Sequence, residues 1–581
     1  MKYPILKPKL FKICPWQLVF CLFLLRGVVF GQINASNIKP YDIVISEFMA
    51  KPLANSKLPN SEFIELYNRT KDSIQLKNLR FYNDKKLTVL PEFSLKANKY
   101  LTVYKKNKDV SFKIYGDTLA LDSLFTLVNP NDVFYLSTPS GKIIDAASYD
   151  LTLYSDSKKA SGGVTLERTN VNFPCEVLGW DGSNNPDGGT PGKPNSISFK
   201  DTIPLEIDRY YLIGSNKVGI VFNKSIDSVS ASKSIYQMSN NIIAAFDSIV
   251  RPLFNEIVLK LNTNLTKDNT YYLTIKKSLK GCVDASTALK SDTTLLLKMP
   301  ERAKIDSIVI NEILVNPETG GSRFVELYNN SKTMVFDIND LKIGNIALDL
   351  PINIKMLLFP NEYVVLSDNP IYIQRYYKAQ KFRKRIVKNK VPTFVESTDR
   401  VVLKGGSLKN PIDSFTYQKS WHNPLLANTE GVSLERIDPS QKSNDKANWQ
   451  SAAQTVGFAT PAQQNSQYNA SKVATSSQVF SLEKKTFSPD GDGFEDFLSL
   501  NYHFDKGGYA ASIFIFNDKG KLVKKLKDNE LLNVEGTIKW EGDTDEGLKI
   551  RVGIYILAIE WISPTGQVNR EKLACVVSGR L

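Results

Sequence analysis

Short runs of apolar and β-branched residues, broken by clusters of Asn, Asp, Gly, Ser and Pro, recur along most of the chain. IVISEF, EFIELYN, YLTVY, DVFYLS and IIDAASY are examples from its first third. In Phe63-Ile64-Glu65-Leu66-Tyr67, Ile64 and Leu66 share one face, the period-two alternation of a half-buried strand. Many short strands with regular turn signals predict β-sandwiches or barrels. One stretch, Pro370 to Val387, reads instead as locally helical and basic. The first residues follow another pattern: Lys2, Lys7, Lys9 and Lys12 precede the apolar run Trp16 to Leu25, then Arg26 and Gly27 to Gly31. That is the layout of a secretory signal peptide spanning 1–31. The run is shorter than the ~20 residues of a spanning helix. No other apolar run is long enough, so no transmembrane helix is expected after the leader is removed.

The patterning repeats. Ile43 to Asn68 reads IVISEFMAKPLANSKLPNSEFIELYN, and Ile308 to Asn329 reads IVINEILVNPETGGSRFVELYN. Glu47 answers Glu312, and Glu65 answers Glu326 across a shorter loop. Asp145 and Tyr149 match Asp413 and Tyr417; GVTLER (Gly163 to Arg168) matches GVSLER (Gly431 to Arg436). Trp180 matches Trp449, and Thr190-Pro191 matches Thr460-Pro461. An ordered series of matches over more than a hundred residues means two copies of one domain.

The opening I-x-E segment, the E-x-x-E-L-Y-N strand, the D-x-x-x-Y strand and the late L-E-R and T-P elements resemble the lamin-tail domain. The resemblance covers about 40–198 and 304–465. It implies an Ig-like β-sandwich that serves as a structural or binding module, found in nuclear lamins and in secreted bacterial proteins. Arg323 stands in the second copy where the first has Glu62, so that acid is dispensable to the pattern.

Between the copies, 200–300 holds the strand-and-turn KVGIVFNKSID (Lys217 to Asp227). Asn255 to Ile275 reads as two strands joined by an Asn/Thr/Lys/Asp turn. This unit resembles the Ig-like domains of bacterial surface proteins. Small polar residues at 466–477 read as a linker. The last domain, 480–581, opens with FSPDGDGFEDFLSLNY. A hairpin about Asn517-Asp518-Lys519-Gly520 follows, then Trp540-Glu541-Gly542 and Gly553-Ile554-Tyr555. The order S-P-D-G-D-G, I-x-I-F-x-x-x-G, W-x-G, G-x-Y resembles the flagellar hook-capping Ig domain and gliding-motility-associated C-terminal domains. It departs from them at Glu541, where Asp is usual. The resemblance implies a role in export or anchoring at the outer surface. The expected fold class is all-β, a tandem of Ig-like β-sandwich domains.

Charge and rare residues narrow the chemistry. The formal net charge is +14, and removing the five cations of the leader, which holds no acid, leaves +9. Spread over this length, that fits weak attraction to anionic partners and requires none. After the leader's Cys14 and Cys21, Cys175, Cys282 and Cys575 remain, allowing one disulfide and leaving one thiol over. No CxxC exists, and two histidines, His422 and His503, argue against imidazole metal sites and Ser-His or Cys-His catalysis.

Three groups of residues are candidates for chemistry. Asp490, Asp492 and Asp496 alternate with glycines, as hard oxygens about a calcium ion do; an Asx turn whose carboxylates cap backbone N–H groups is the other reading. Glu65 and Glu326, with Arg168 and Arg436, occupy equivalent apolar strands. They suit a structural charge pair or backbone-bonded carboxylate better than a general base, since no nucleophile accompanies them. Arg375, Lys378, Lys381, Arg383, Lys384, Arg385, Lys388 and Lys390, interleaved with Tyr376, Tyr377 and Phe382, form a basic segment. It could meet nucleic acid or form a solvated helix face. Trp180 to Gly189 reads as a turn. The whole predicts a non-catalytic secreted or cell-surface protein with structural or adhesive work and cell-envelope or extracellular protein or glycan partners. The alternative is a carbohydrate- or nucleic-acid-binding accessory to secreted hydrolases.

Overall fold

The computed structural model describes residues 32–579, apart from 108–110, 129–130, 157, 176–178, 199–203, 283–287, 406–409 and 470–477. The signal-peptide segment 1–31 therefore lies outside the described residues. The fold divides into two compact units, one of residues 1–203 with 251–253, the other of 204–250 with 254–581.

In the first unit a six-stranded sheet runs in the order Trp180–Gly182, Leu166–Arg168, Ile43–Met49, Phe63–Asn68, Tyr100–Lys105, Thr118–Leu121. A four-stranded sheet runs Ile143–Asp150, Asn131–Ser137, Arg80–Asn83, Lys86–Val89. Alternation along Ile143–Asp150 sends Ile143, Asp145, Ala147 and Tyr149 inward. Phe48 fills the space between the sheets, with its ring centre 5.3 Å from Phe134, 4.8 Å from Tyr149 and 4.9 Å from Trp180. Burying such rings dominates the stability of a sandwich core.

The second copy repeats this layout. Its six-stranded sheet runs Trp449–Ser451, Leu434–Arg436, Ile308–Leu314, Phe324–Asn329, Tyr363–Ser367, Ile386–Lys388. Its four-stranded sheet runs Asp413–Gln418, Thr398–Gly405, Leu341–Gly344, Asp349–Pro351. In both copies the last pair of the large sheet is parallel and the pairs before it are antiparallel. Helix Pro370–Tyr376, capped by the Asn369 side chain, and the 3-10 turn Gln380–Arg385 fall where the basic pattern predicts helix.

Between the repeats, the sheet Ile207–Ile213, Lys217–Phe222, Glu256–Leu261, Ala244–Ile249 shares one core with the sheet Tyr236–Met238, Thr270–Ile275, Thr293–Lys298. The two strands read from Asn255 to Ile275 both exist, but each joins a different sheet. The shared core is continuous with Val335, Leu357 and Phe359 of the second repeat. The last domain has a three-stranded sheet, Phe480–Leu482, Leu498–His503, Glu535–Trp540. Its five-stranded sheet runs Thr486–Phe487, Val568–Val577, Gly553–Ile562, Ala510–Asn517, Leu522–Leu531. The hairpin about Asn517 to Gly520 forms as the sequence predicts. Ser466 and Gln467, at the start of the segment read as a linker, are buried instead. Cys175 and Cys282 each stand in a disulfide, and Cys575 is a buried free thiol that burial pushes up to about 12, far from reactive. Among the described residues, no helix is long and apolar enough to cross a membrane.

Candidate functional site

A β-bulge between Ile45 and Glu47 shifts the first repeat's central strand by one residue. It sets Glu47 opposite Glu65 on one neighbour and opposite Glu167 on the other. The second repeat has the same bulge after Ile310, which sets Glu312 between Glu326 and Glu435. Each repeat thus carries a rank of three glutamates straight across three adjacent strands, and all six are 0% exposed. Like charges directly opposite destabilise a sheet. Burial raises Glu47 and Glu312 to about 8, holds Glu65 and Glu326 well above the ordinary carboxylate value, and raises Glu435 as well.

Hydrogen bonds, most of them from the last segment of the repeat, satisfy the rank. Glu47 Oε1 accepts the Thr190 N–H at 2.7 Å and the Thr165 hydroxyl at 2.5 Å. Glu65 accepts the Gly192 N–H at 2.5 Å and the Ser46 hydroxyl at 2.8 Å. Glu167 Oε2 accepts the Ser196 hydroxyl at 2.9 Å and the Ile197 N–H at 3.0 Å. In the second repeat Thr460, Ala462, Ser466 and Gln467 supply the corresponding donors. This explains the Thr-Pro element in both copies: its threonine and the residues after it form a strap over the acids. The expectation that Glu65 and Glu326 take backbone hydrogen bonds holds. A charge pair between them and the arginines does not form.

Arg168 and Arg436 pair with the aspartates of the D-x-x-x-Y strand instead. Arg168 Nη2 lies 2.7 Å from Asp145 Oδ2, and Arg436 Nη1 lies 3.0 Å from Asp413 Oδ2. Each pair is sealed between the two sheets of its repeat and also holds central-strand backbone, at Ile45 and Ile310.

One difference between the copies is itself testable. Thr102 stands opposite Glu65, and its buried hydroxyl has no hydrogen-bond partner. Val365 takes that place beside Glu326 and is equally buried. A buried unpaired hydroxyl costs about 1–3 kcal/mol. Thr102→Val, nearly the same shape, is therefore expected to raise first-repeat stability by about 1 kcal/mol in denaturant unfolding.

The second repeat also brings His422 Nδ1 to 2.9 Å from Ser451 Oγ, a contact the sequence does not signal because 29 residues separate the two. Ser451 is fully buried and its Oγ accepts the Asn423 N–H. Burial lowers His422 to about 4. The adjoining cavity measures about 10 Å³, the size of a single water. This serine is closed to any substrate.

The basic segment faces inward at its centre. Arg383 lies 2.6 Å from Glu206 and 2.9 Å from Asp208, and Lys384 lies 3.2 Å from Glu206, all on the middle domain. Arg385 pairs with Glu362. Beside these pairs is a cavity of about 380 Å³, lined by apolar Leu205, Leu289 and Met356 and by Arg209, Lys290 and Lys384. Both readings of the segment, solvated helix face and nucleic-acid surface, are therefore cut down: at least three of its cations are matched within the chain. Tyr376, stacked on Tyr372 at 5.2 Å, stays exposed.

Asp490, Asp492 and Asp496 do converge, with one carboxylate oxygen from each within 4.8 Å of the others. Asp496 accepts the N–H groups of Gly491 and Gly493 at 2.6 and 2.8 Å. Asp490 accepts Asp492 N–H, and Asp492 accepts Phe494 N–H. The loop is thus an Asx-stabilised turn, with both Asp496 oxygens accepting backbone N–H groups.

In comparison with known proteins, the Lamin Tail Domain model matches residues 37–150. No curated protein matches the chain. Among solved structures, the chain is similar to the N-terminal part of the bacterial S-layer protein SbsC, at 10% identity over 37% of this chain and 44% of that one, TM-score 0.16. It is also similar to dimeric latent PorU from Porphyromonas gingivalis, at 10% identity over 77% and 42%, TM-score 0.15. A Ca2+-stabilized ice-binding adhesin of an Antarctic bacterium matches at 7% identity over 94% and 100%, TM-score 0.11. The chain spans about half the length of the S-layer proteins it matches. At such TM-scores these likenesses establish no shared fold.

Proposed function

We propose that this chain, whose residues 37–150 match the lamin tail domain, is a non-catalytic secreted or cell-surface protein that presents β-sandwich modules for structural or adhesive work. One observation carries the reading: the carboxylates placed in apolar strands, where a general base would sit, are sealed by the chain's own straps and spent on holding the fold. The buried Ser451–His422 contact is closed in the same way. What remains for partners is loop and sheet surface, where sandwich domains bind. The partners would be cell-envelope or extracellular proteins or glycans. Fractionation of the native host tests this. The mature chain is expected at the cell surface or in the medium, with its N-terminus near residue 32. Recovery from the cytoplasm with 1–31 retained, or turnover in a hydrolase screen, would overturn it.

The exposed Tyr376 and the cations at Arg375, Lys378 and Lys381 support a second reading, an accessory module for anionic polymers. Salt-sensitive retention on heparin or DNA, lost on neutralising those three cations, would favour it. For the Asp490 loop we propose the turn as its first role and calcium as its ligand where one binds. Calorimetric titration of the full chain is expected to show calcium heat that disappears in Asp490→Ala/Asp492→Ala; identical thermograms reject the ion.

A further inference from the structure

The strap of the second repeat does two things at once. Its N–H groups and hydroxyls hold Glu312, Glu326 and Glu435. Its end also grips the last domain. Gln467 Nε2 donates to the Leu532 carbonyl at 3.1 Å, and Gly508 N–H donates to Gln467 Oε1 at 2.8 Å. Val534 N–H donates to the Ser466 carbonyl at 3.1 Å. A Cβ at Gly507 would run into the Gln467 side chain, so the fit is tight.

Thr460 sits between two of these acids. Its hydroxyl lies 2.6 Å from Glu435 Oε1 and 3.4 Å from Glu312 Oε2. A hydroxyl has one hydrogen. If it donates to Glu435, it can hold Glu312 only by accepting a hydrogen from that carboxyl. The first repeat has the same arrangement: Thr190 Oγ1 is 2.9 Å from Glu167 Oε1 and 3.3 Å from Glu47 Oε2. Two copies, differing in sequence around the site, place a threonine hydroxyl between two buried glutamates.

We propose that a proton held in the Glu312–Thr460–Glu435 relay keeps the strap shut, and that its loss to solvent loosens the grip of the second repeat on the last domain. The groups facing Glu312 favour this. Glu326 and Glu435 flank it on the neighbouring strands; Tyr377 follows the basic helix and Tyr363, on the next strand, faces Glu326. None is a cation, and Arg436 lies on the opposite face of its strand, paired to Asp413. An ionised Glu312 therefore places its charge beside two further buried acids, with no cation among these neighbours. The sign follows from linkage. The folded Glu312 titrates near 8, against 4.5 when released. The closed strap thus gains from low pH, is fully held below about 4.5, and loses its hold progressively up to about 8, levelling beyond.

Hydrogen exchange of the full chain from pH 5 to 9, corrected for intrinsic rates, tests the proposal at the Thr460, Gln467, Gly508 and Val534 amides. Wild type is expected to lose roughly tenfold or more in protection per pH unit up to about 8. Glu312→Gln, whose amide can donate to Thr460 at any pH, is expected to follow a slope shallower by about tenfold per unit. Equal slopes, or a flat wild-type profile, would overturn it. Should that variant fail to fold, the same exchange series is read at the Thr190 and Gly192 amides, where Thr190 sits between Glu47 and Glu167 in the same way. A matching loss of protection up to about pH 8 is expected there; a flat profile would equally end the proposal.

Discussion

Arg436→Met is expected to cost the second repeat about 3–5 kcal/mol, a fall of roughly 10 °C in the melting of a domain this size. The guanidinium is 1% exposed and spans both sheets: it pairs with Asp413 on the small sheet and donates to the Ile310 carbonyl on the large one. A further arm reaches the Gln441 carbonyl at 2.5 Å. Removing it leaves Asp413 buried with its charge unmatched and two carbonyls without donors. Burial opposes the charge on Arg436 as well, and only this complete set of partners holds it there. Arg436→Lys is expected to recover little, because a single ammonium cannot fork to carboxylate and carbonyls together. Several domains melt in one chain, so a single transition is not a safe readout. Exchange protection along Ile308–Leu314 reports the repeat directly. Protection unchanged from wild type would mean the staple is dispensable.

The repeat, the alternating strands and the residues of this staple were legible in the sequence because each is written as a local motif that recurs. Their partners were not. Arg168 and Asp145 are both in matched motifs, yet nothing in the spacing says that the arginine crosses to the other sheet rather than meeting Glu65. The glutamate rank was hidden for a related reason. In a regular strand the Ser46-Glu47 step would be read by strict alternation, and the bulge after Ile45 breaks that count. The basic segment misled because its acids, Glu206 and Asp208, lie more than 170 residues upstream. Local charge looked free when the fold had already matched it. The turn at Asp490 was legible, since Asx turns are built from near neighbours.

The strap supplies the second large effect. Gly192 has φ +77°, donates its N–H to Glu65, and leaves no room for a Cβ, which would overlap the Tyr115 carbonyl. Gly192→Ala is therefore expected to cost the first repeat at least about 3 kcal/mol, combining left-handed strain with a steric clash. The second repeat separates the two contributions. Ala462 occupies the equivalent place at φ 61° and still gives its N–H to Glu326 at 2.6 Å. There the left-handed backbone is tolerated with a methyl present, at a strain of about 1–2 kcal/mol. Ala462→Gly should relieve part of that strain and leave stability equal or slightly higher. Gly192→Ala meets the carbonyl and cannot keep the strap seated, so Glu65 loses its backbone donor as well. Chemical denaturation of both variants, followed by exchange at Gly192 and Ala462, reads the difference. If the two substitutions change stability by the same amount with opposite sign, backbone strain alone governs the strap and the Tyr115 contact does not.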